Sequence, residues 1–164
     1  MNRLCSALAD PWIFNYTDFG ETHGALQRPV LPAAFHVGVV GHRRAFMALI
    51  DTGGPITVVA HEVISAGGGD PVETGLTLPI RLGGRSFVAP LYEMTLEAKP
   101  PRGRSDRSIS WRGLVGVLSP FPHPGTSVIL GQIGFLENFT VTFGPDRFVI
   151  EPAEAFTQRF GSGR

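Results

Sequence analysis

Residues 46–50 read Phe-Met-Ala-Leu-Ile, an unbroken apolar run that stops at Asp51-Thr52-Gly53-Gly54-Pro55. Five apolar residues with no polar alternate suit a strand covered on both faces. A carboxylate at the end of such a strand is costly to desolvate unless it is hydrogen-bonded, shares a proton or does chemistry. Gly53 and Gly54 let the chain turn tightly, with backbone N–H groups aimed at that carboxylate. Ile56-Thr57-Val58-Val59 then leads away as a second β-branched run. Taken alone, an Asp-Thr-Gly triplet is an ordinary turn former. What surrounds it decides how it is read.

Composition narrows the fold class. The chain has 164 residues, with 21 Gly and 14 Pro, too many turn formers for a helical bundle. With short β-branched and aromatic runs they predict an all-β protein of one domain, large enough to bury about 70% of its unfolded surface. Formal net charge is zero, so no global field recruits nucleic acid or an anionic membrane. Lys99, Arg102, Arg104, Arg107 and Arg112 make residues 99–112 locally basic. That stretch reads as a solvated, mobile loop rather than a nucleic-acid patch. Cys5 is the one cysteine, which excludes an intrachain disulfide and a thiolate metal cluster. The first residues lack the apolar core of a signal peptide, and no run reaches the ~18 residues of a membrane span. A soluble, cytoplasmic chain with no membrane partner is the expectation.

Along the chain, residues 4–8 suggest a short helix, 12–19 an aromatic strand lying on the domain, and 33–50 a hairpin turning at Gly41-His42-Arg43. That hairpin delivers Asp51. A helical turn at residues 61–64 is broken by Gly67-Gly68-Gly69. The clearest hairpin has arms 76–82 and 85–96, because the Gly83-Gly84 pair joins two apolar-alternating segments. Strands are expected at 113–118, 139–143 and 147–151, and a frayed tail at 153–164. Other chemistries lack their residues. His61-Glu62 has Ser65 where a zinc-protease helix needs its second histidine, and Gly67-Gly68-Gly69 has no following Lys-Ser/Thr. No Gly-x-Ser-x-Gly elbow occurs. No metal and no organic cofactor is therefore expected.

Two stretches remain, in order. The first is the apolar run into Asp51-Thr52-Gly53 with its following Ile-Thr-Val-Val. The second, about eighty positions on, is Val128-Ile129-Leu130-Gly131-Gln132-Ile133-Gly134-Phe135-Leu136-Glu137-Asn138 and the strand 139–143. Together they resemble the paired signatures of the retropepsin-like (retroviral-type) aspartic proteases. The likeness is to small single-domain bacterial members, with Arg28-Pro29-Val30-Leu31-Pro32 upstream and Leu82-Gly83-Gly84 between the motifs. It covers residues 28–152, leaving 1–27 as an N-terminal arm and 153–164 as a C-terminal tail.

The resemblance implies an acid-protease barrel with one short helix after the second motif. Asp51 would be catalytic, Thr52 would brace two loops across a twofold axis, and Gly53 would leave room for substrate backbone. Gly54, Ile129, Leu130 and Gly131 would support the loop. Gly54 stands where the family usually has Ala or Ser, and Gln132 where Arg is common. A flap over the substrate is expected within residues 65–75, with Gly67, Gly68 and Gly69 as its glycines. The chemistry needs two carboxylates sharing one proton, and the chain has one Asp-Thr-Gly. It therefore implies a homodimer, joined through the Asp51 loop and the terminal strands 139–143 and 147–151, acting on a peptide or protein. A short flap leaves one alternative, a non-catalytic binding or dimerisation module of the same fold.

Overall fold

The apolar run becomes strand β5 (Ala45–Ile50), and its neighbours are set by what can cover it on both sides. The computed structural model describes residues 10–18, 27–36, 45–67, 71–104, 108–123 and 125–161. Before β5 come β1 (Trp12–Asn15), β2 (Thr17–Asp18), β3 (Gln27–Arg28) and β4 (Val30–His36). After it come β6 (Thr57–Ala60), α1 (His61–Gly67), β7 (Val72–Leu82), β8 (Arg85–Ala98) and β9 (Ile109–Leu118). The chain ends with β10 (Val128–Leu130), β11 (Phe139–Phe143), β12 (Arg147–Pro152) and α2 (Ala153–Phe160). The fold is all-β with short helices. The expected helix at 4–8, the turn at 41–43, and Gly68 and Gly69 lie outside the described residues.

Seven strands pair in the order β4-β5-β10-β6-β9-β8-β7, and β4 also pairs with β8. That extra pairing closes six strands into a ring and leaves β7 outside it. The three residues of β10, all apolar and buried, lie parallel to β5 and antiparallel to β6. β8 is long enough to do two jobs. Its residues 91–98 pair with β9 and 95–98 with β4, whereas, among the described residues, 85–90 pair only with β7.

Inside the ring, Ala48, Ile50, Val117, Val128 and Leu130 join Trp111, Phe135 and Phe139. The Trp111 and Phe139 rings meet edge-on at 4.9 Å, and Phe135 stacks on Phe139 at 5.0 Å. Trp111 Nε1–H donates to Gly134 O at 2.6 Å, so the indole is buried with its polar atom satisfied. Fully burying side chains of this size stabilises by about 1.5–3 kcal/mol each.

A second sheet of order β1-β12-β11 caps the ring. Its β1, from the expected N-terminal arm, buries Trp12 and stacks Phe14 on Phe148 at 5.4 Å. β12 is central, paired with β1 on one edge and β11 on the other.

Three expectations need correction. The tail is not frayed over residues 153–160, which form α2. Pro152 precedes this helix, Gly161 N–H caps Thr157 O at 2.8 Å, and Arg159 reaches the buried Glu151 carboxylate at 2.9 Å. The basic segment 99–112 is shorter than expected, because β9 begins at Ile109 and Arg112 pairs with Glu93 from within it. After the second motif the chain coils without a regular helix. Leu136 N–H donates to Gly131 O and Glu137 N–H to Gln132 O, both at 3.0 Å, so each closure spans five residues instead of four. Gly134, at φ 88°, interrupts helical geometry there, and Glu137 Oε1 takes its N–H at 2.7 Å.

Candidate active site

The loop after β5 is fastened at every step. Asp51 N–H donates to Leu130 O at 3.0 Å, and Gly54 N–H returns to Asp51 O at 3.1 Å. Gly53 N–H donates to Asp51 Oδ1 at 3.0 Å, which satisfies one oxygen of the half-buried carboxylate. Thr52 and Gly53 face solvent, while Gly54 is buried beneath them.

The second motif grips this loop from behind. Gln132 N–H donates to Gly54 O at 2.8 Å, Ile133 N–H to Pro55 O at 3.2 Å, and Thr57 N–H to Ile133 O at 2.8 Å. Gly131 N–H donates to Thr57 Oγ1 at 3.1 Å. Only glycine fits at 131, since a Cβ there would lie 2.5 Å from Ile56 O and 2.8 Å from Gly54 O. Asp51, Thr52, Gly53, Gly54, Leu130 and Gly131 are therefore gathered in one cluster. Leu130 points into the ring interior, and its partner Ile129 faces the other way.

Two residues of this cluster escape sequence reasoning. Thr57 looks like one more β-branched strand residue, yet its hydroxyl braces Gly131. Gln132 donates its side-chain Nε2–H to Thr52 O at 2.8 Å, across 80 positions of sequence. The only signal was its standing where an arginine is common in the family it resembles.

Beside Asp51 runs an apolar row on the outer face of the sheet. Leu49 pairs with Ile129, Ile129 with Val58, Val58 with Gly116, and Gly116 with Leu91. By strand alternation Asp51 continues the Leu49 face. The β7–β8 hairpin folds over this row and buries Ile80 and Ala89 against it. Gly116 is the seat, because a Cβ there would come within 3.0 Å of the Ala89 methyl. The hairpin turns at Gly83 and Gly84, with φ of 55° and 78°. Of the glycines expected in a flap, Gly67 ends α1, and the segment 65–75 runs from that helix into the first residues of β7.

A cavity of about 760 Å³, lined by Phe46, Met47, Glu62, Phe121 and His123 among others, lies at the opposite end of β5 and does not include Asp51. Among the described residues no helix is long and apolar enough to cross a membrane.

No family model matches the chain, and no curated protein matches it. Among solved structures, a retropepsin-like aspartic protease from Rickettsia conorii is similar to it, with 14% identity over 86% of this chain and 90% of that one, at a TM-score of 0.44.

Proposed function

We propose that the chain is an aspartic endopeptidase of retropepsin type acting as a homodimer, with Asp51 from each of two copies forming the catalytic pair. The observation that carries this reading is the Asp51 loop itself. A carboxylate on a tight Thr-Gly-Gly turn, bonded by Gly53 N–H and strapped to the second motif, stands at the end of an apolar wall. The sequence holds one Asp-Thr-Gly, so a twofold axis beside the exposed Thr52 and Gly53 supplies the second carboxylate. The ionised member takes a proton from water as its oxygen attacks the scissile carbonyl carbon. The protonated member gives its proton to the carbonyl oxygen, leaving a tetrahedral diol. As the C–N bond breaks, the leaving nitrogen takes a proton from the first carboxyl, and the second recovers its own from the diol.

The hairpin is the flap in this reading, tipped by Gly83 and Gly84. Its inner side chains and the Leu49–Ile129–Val58 wall favour a peptide with apolar residues at the scissile bond. For the dimer, β12 is already paired on both edges, so within its sheet the outer edges of β11 and β1, unpaired among the described residues, are the surfaces this reading offers to a second copy.

The test is cleavage of a diverse peptide pool at acid to neutral pH, with light scattering on the same samples. Turnover should vanish in Asp51→Asn, and specific activity should fall as the protein is diluted through its dimer dissociation constant. Activity surviving that substitution, or undiminished in a strictly monomeric sample, removes the proposal. A dimer that cleaves nothing favours the non-catalytic module.

A further inference from the structure

The peptide unit joining Thr52 to Gly53 is held at both ends. Its N–H, on Gly53, donates to Asp51 Oδ1 at 3.0 Å. Its carbonyl, on Thr52, accepts from Gln132 Nε2 at 2.8 Å. The backbone N–H of Gln132 donates to Gly54 O, also at 2.8 Å. One residue thus fastens the carbonyls on both sides of Gly53. Because a peptide unit is planar, its N–H cannot swing away from the carboxylate without carrying its C=O off Gln132. Glycine at position 53 leaves the flanking torsion soft, so the plane needs an outside hold. A hydrogen bond accepted by the carbonyl also polarises the unit and strengthens its N–H as a donor.

We propose that Gln132 is a positioning residue. Its side-chain amide fixes the Thr52–Gly53 peptide plane and thereby keeps the Gly53 N–H on the Asp51 carboxylate. The strap is a property of the loop alone, and its catalytic consequence rests on the aspartic-peptidase reading. Thr52 lies on the exposed side of the turn, where a second copy would meet it. The same strap therefore orients the loop toward its twin. A neutral amide does this without adding a charge beside the carboxylate.

The experiment compares the full chain with Gln132→Ala, with Gln132→Glu, which has nearly the same shape but no donor when ionised, and with Gln132→Arg, which restores N–H donors. Amide hydrogen exchange followed by NMR reads the strap without any substrate. Loss of one neutral hydrogen bond should speed Gly53 exchange about 2- to 10-fold in the Ala and Glu variants. Amides of β6 should stay as protected as in wild type, and Arg should bring Gly53 back toward the wild-type rate. In peptide cleavage the same two variants should lose about 10- to 100-fold in kcat, as expected for misplaced reacting groups. KM should stay within about 3-fold, because ground-state binding is untouched. Unchanged Gly53 exchange in both variants overturns the proposal. Faster exchange with unchanged kcat, in a protein whose turnover Asp51→Asn abolishes, overturns its catalytic half. If wild type cleaves nothing, the peptidase reading fails by itself, and Gly53 exchange still decides whether the strap exists.

Discussion

The two apolar regions on opposite faces of the main sheet are built differently. Inside the ring, Trp111, Phe135 and Phe139 are at most 4% exposed and touch one another through their rings. Under the hairpin, Ile80 and Ala89 are equally buried, but Leu49, Leu78, Leu82 and Phe87 around them are only partly so. Among the described residues, hairpin residues 77–82 and 85–90 pair only with each other, and β8 takes up β9 from Leu91 onward. Side-chain packing alone therefore presses this cover onto the row beside Asp51. One region is the fold, and the other, in the proposed reading, is a cover that lifts. Local opening of that kind has its own free energy, smaller than that of global unfolding.

The hardest test of this contrast falls on the interior. Phe135→Ala should cost about 3–5 kcal/mol, because six strands cannot collapse into the void. Urea unfolding measures it. A loss below about 1 kcal/mol would show that the ring tolerates a cavity and that its packing is no tighter than the hairpin's.

Ile80→Ala sharpens the comparison from the other side. Ile80 is 4% exposed and Ile150, in the same buried cluster as the interior aromatics, 1%. Burial alone would give both a cost of about 2–5 kcal/mol on truncation. If the hairpin opens locally, Ile80→Ala should cost the whole molecule only about 1–2 kcal/mol, while hydrogen exchange over residues 77–90 speeds up. Ile150→Ala should show the full effect. Equal costs for the two, with no local change in exchange, would make the hairpin part of the same cooperative unit and remove its reading as a flap.

Much of this contrast was legible in the sequence. The Gly83-Gly84 pair announced its hairpin because a two-residue turn with positive φ leaves few other choices. Residues 139–143 form β11 as expected, with Phe143 at its end left exposed. What the hairpin covers was not legible, since the row from Leu49 to Leu91 is assembled from five strands far apart in the chain. A run of three glycines drew attention to residues 67–69, but such a run marks a break, and here Gly67 closes α1. Helix α2 carried readable signals, with Ala153, Phe156 and Phe160 on one side, Pro152 ahead and Gly161 behind. Eight residues are too few to be helical alone. Its hold comes from contacts such as Arg159 on Glu151 and Ala153 N–H on Asn138 O, which are tertiary. At the site, the Asp51 triplet declared itself through local turn chemistry. Gln132 did not, because an exposed amide signals nothing until the fold brings Thr52 to it.

The smallest expected effect lies at Gly54, and its neighbour Gly131 shows why the smallness is informative. Both glycines sit where the two motifs touch, with Gly131 Cα 3.6 Å from the position a Cβ would take on Gly54. At Gly54 that Cβ would also meet Asp51 O at 3.3 Å and Asp51 Oδ2 at 3.6 Å, tight for the first and ordinary for the others. Against this crowding stands the entropy an alanine removes from the unfolded chain, about 0.4–1 kcal/mol in favour of folding. The two should nearly cancel, so Gly54→Ala should shift stability by less than about 0.5 kcal/mol and leave peptide cleavage within a few-fold of wild type. At Gly131 nothing offsets contacts of 2.5 and 2.8 Å to backbone carbonyls. Gly131→Ala should push the second motif off the Asp51 loop and speed exchange at Gly54 and Thr57. If Gly54→Ala proved as damaging as Gly131→Ala, the loop would have no slack on the Asp51 side. The motifs would then be locked together more tightly than their hydrogen bonds imply, and a cover able to lift would sit above a site with no freedom of its own.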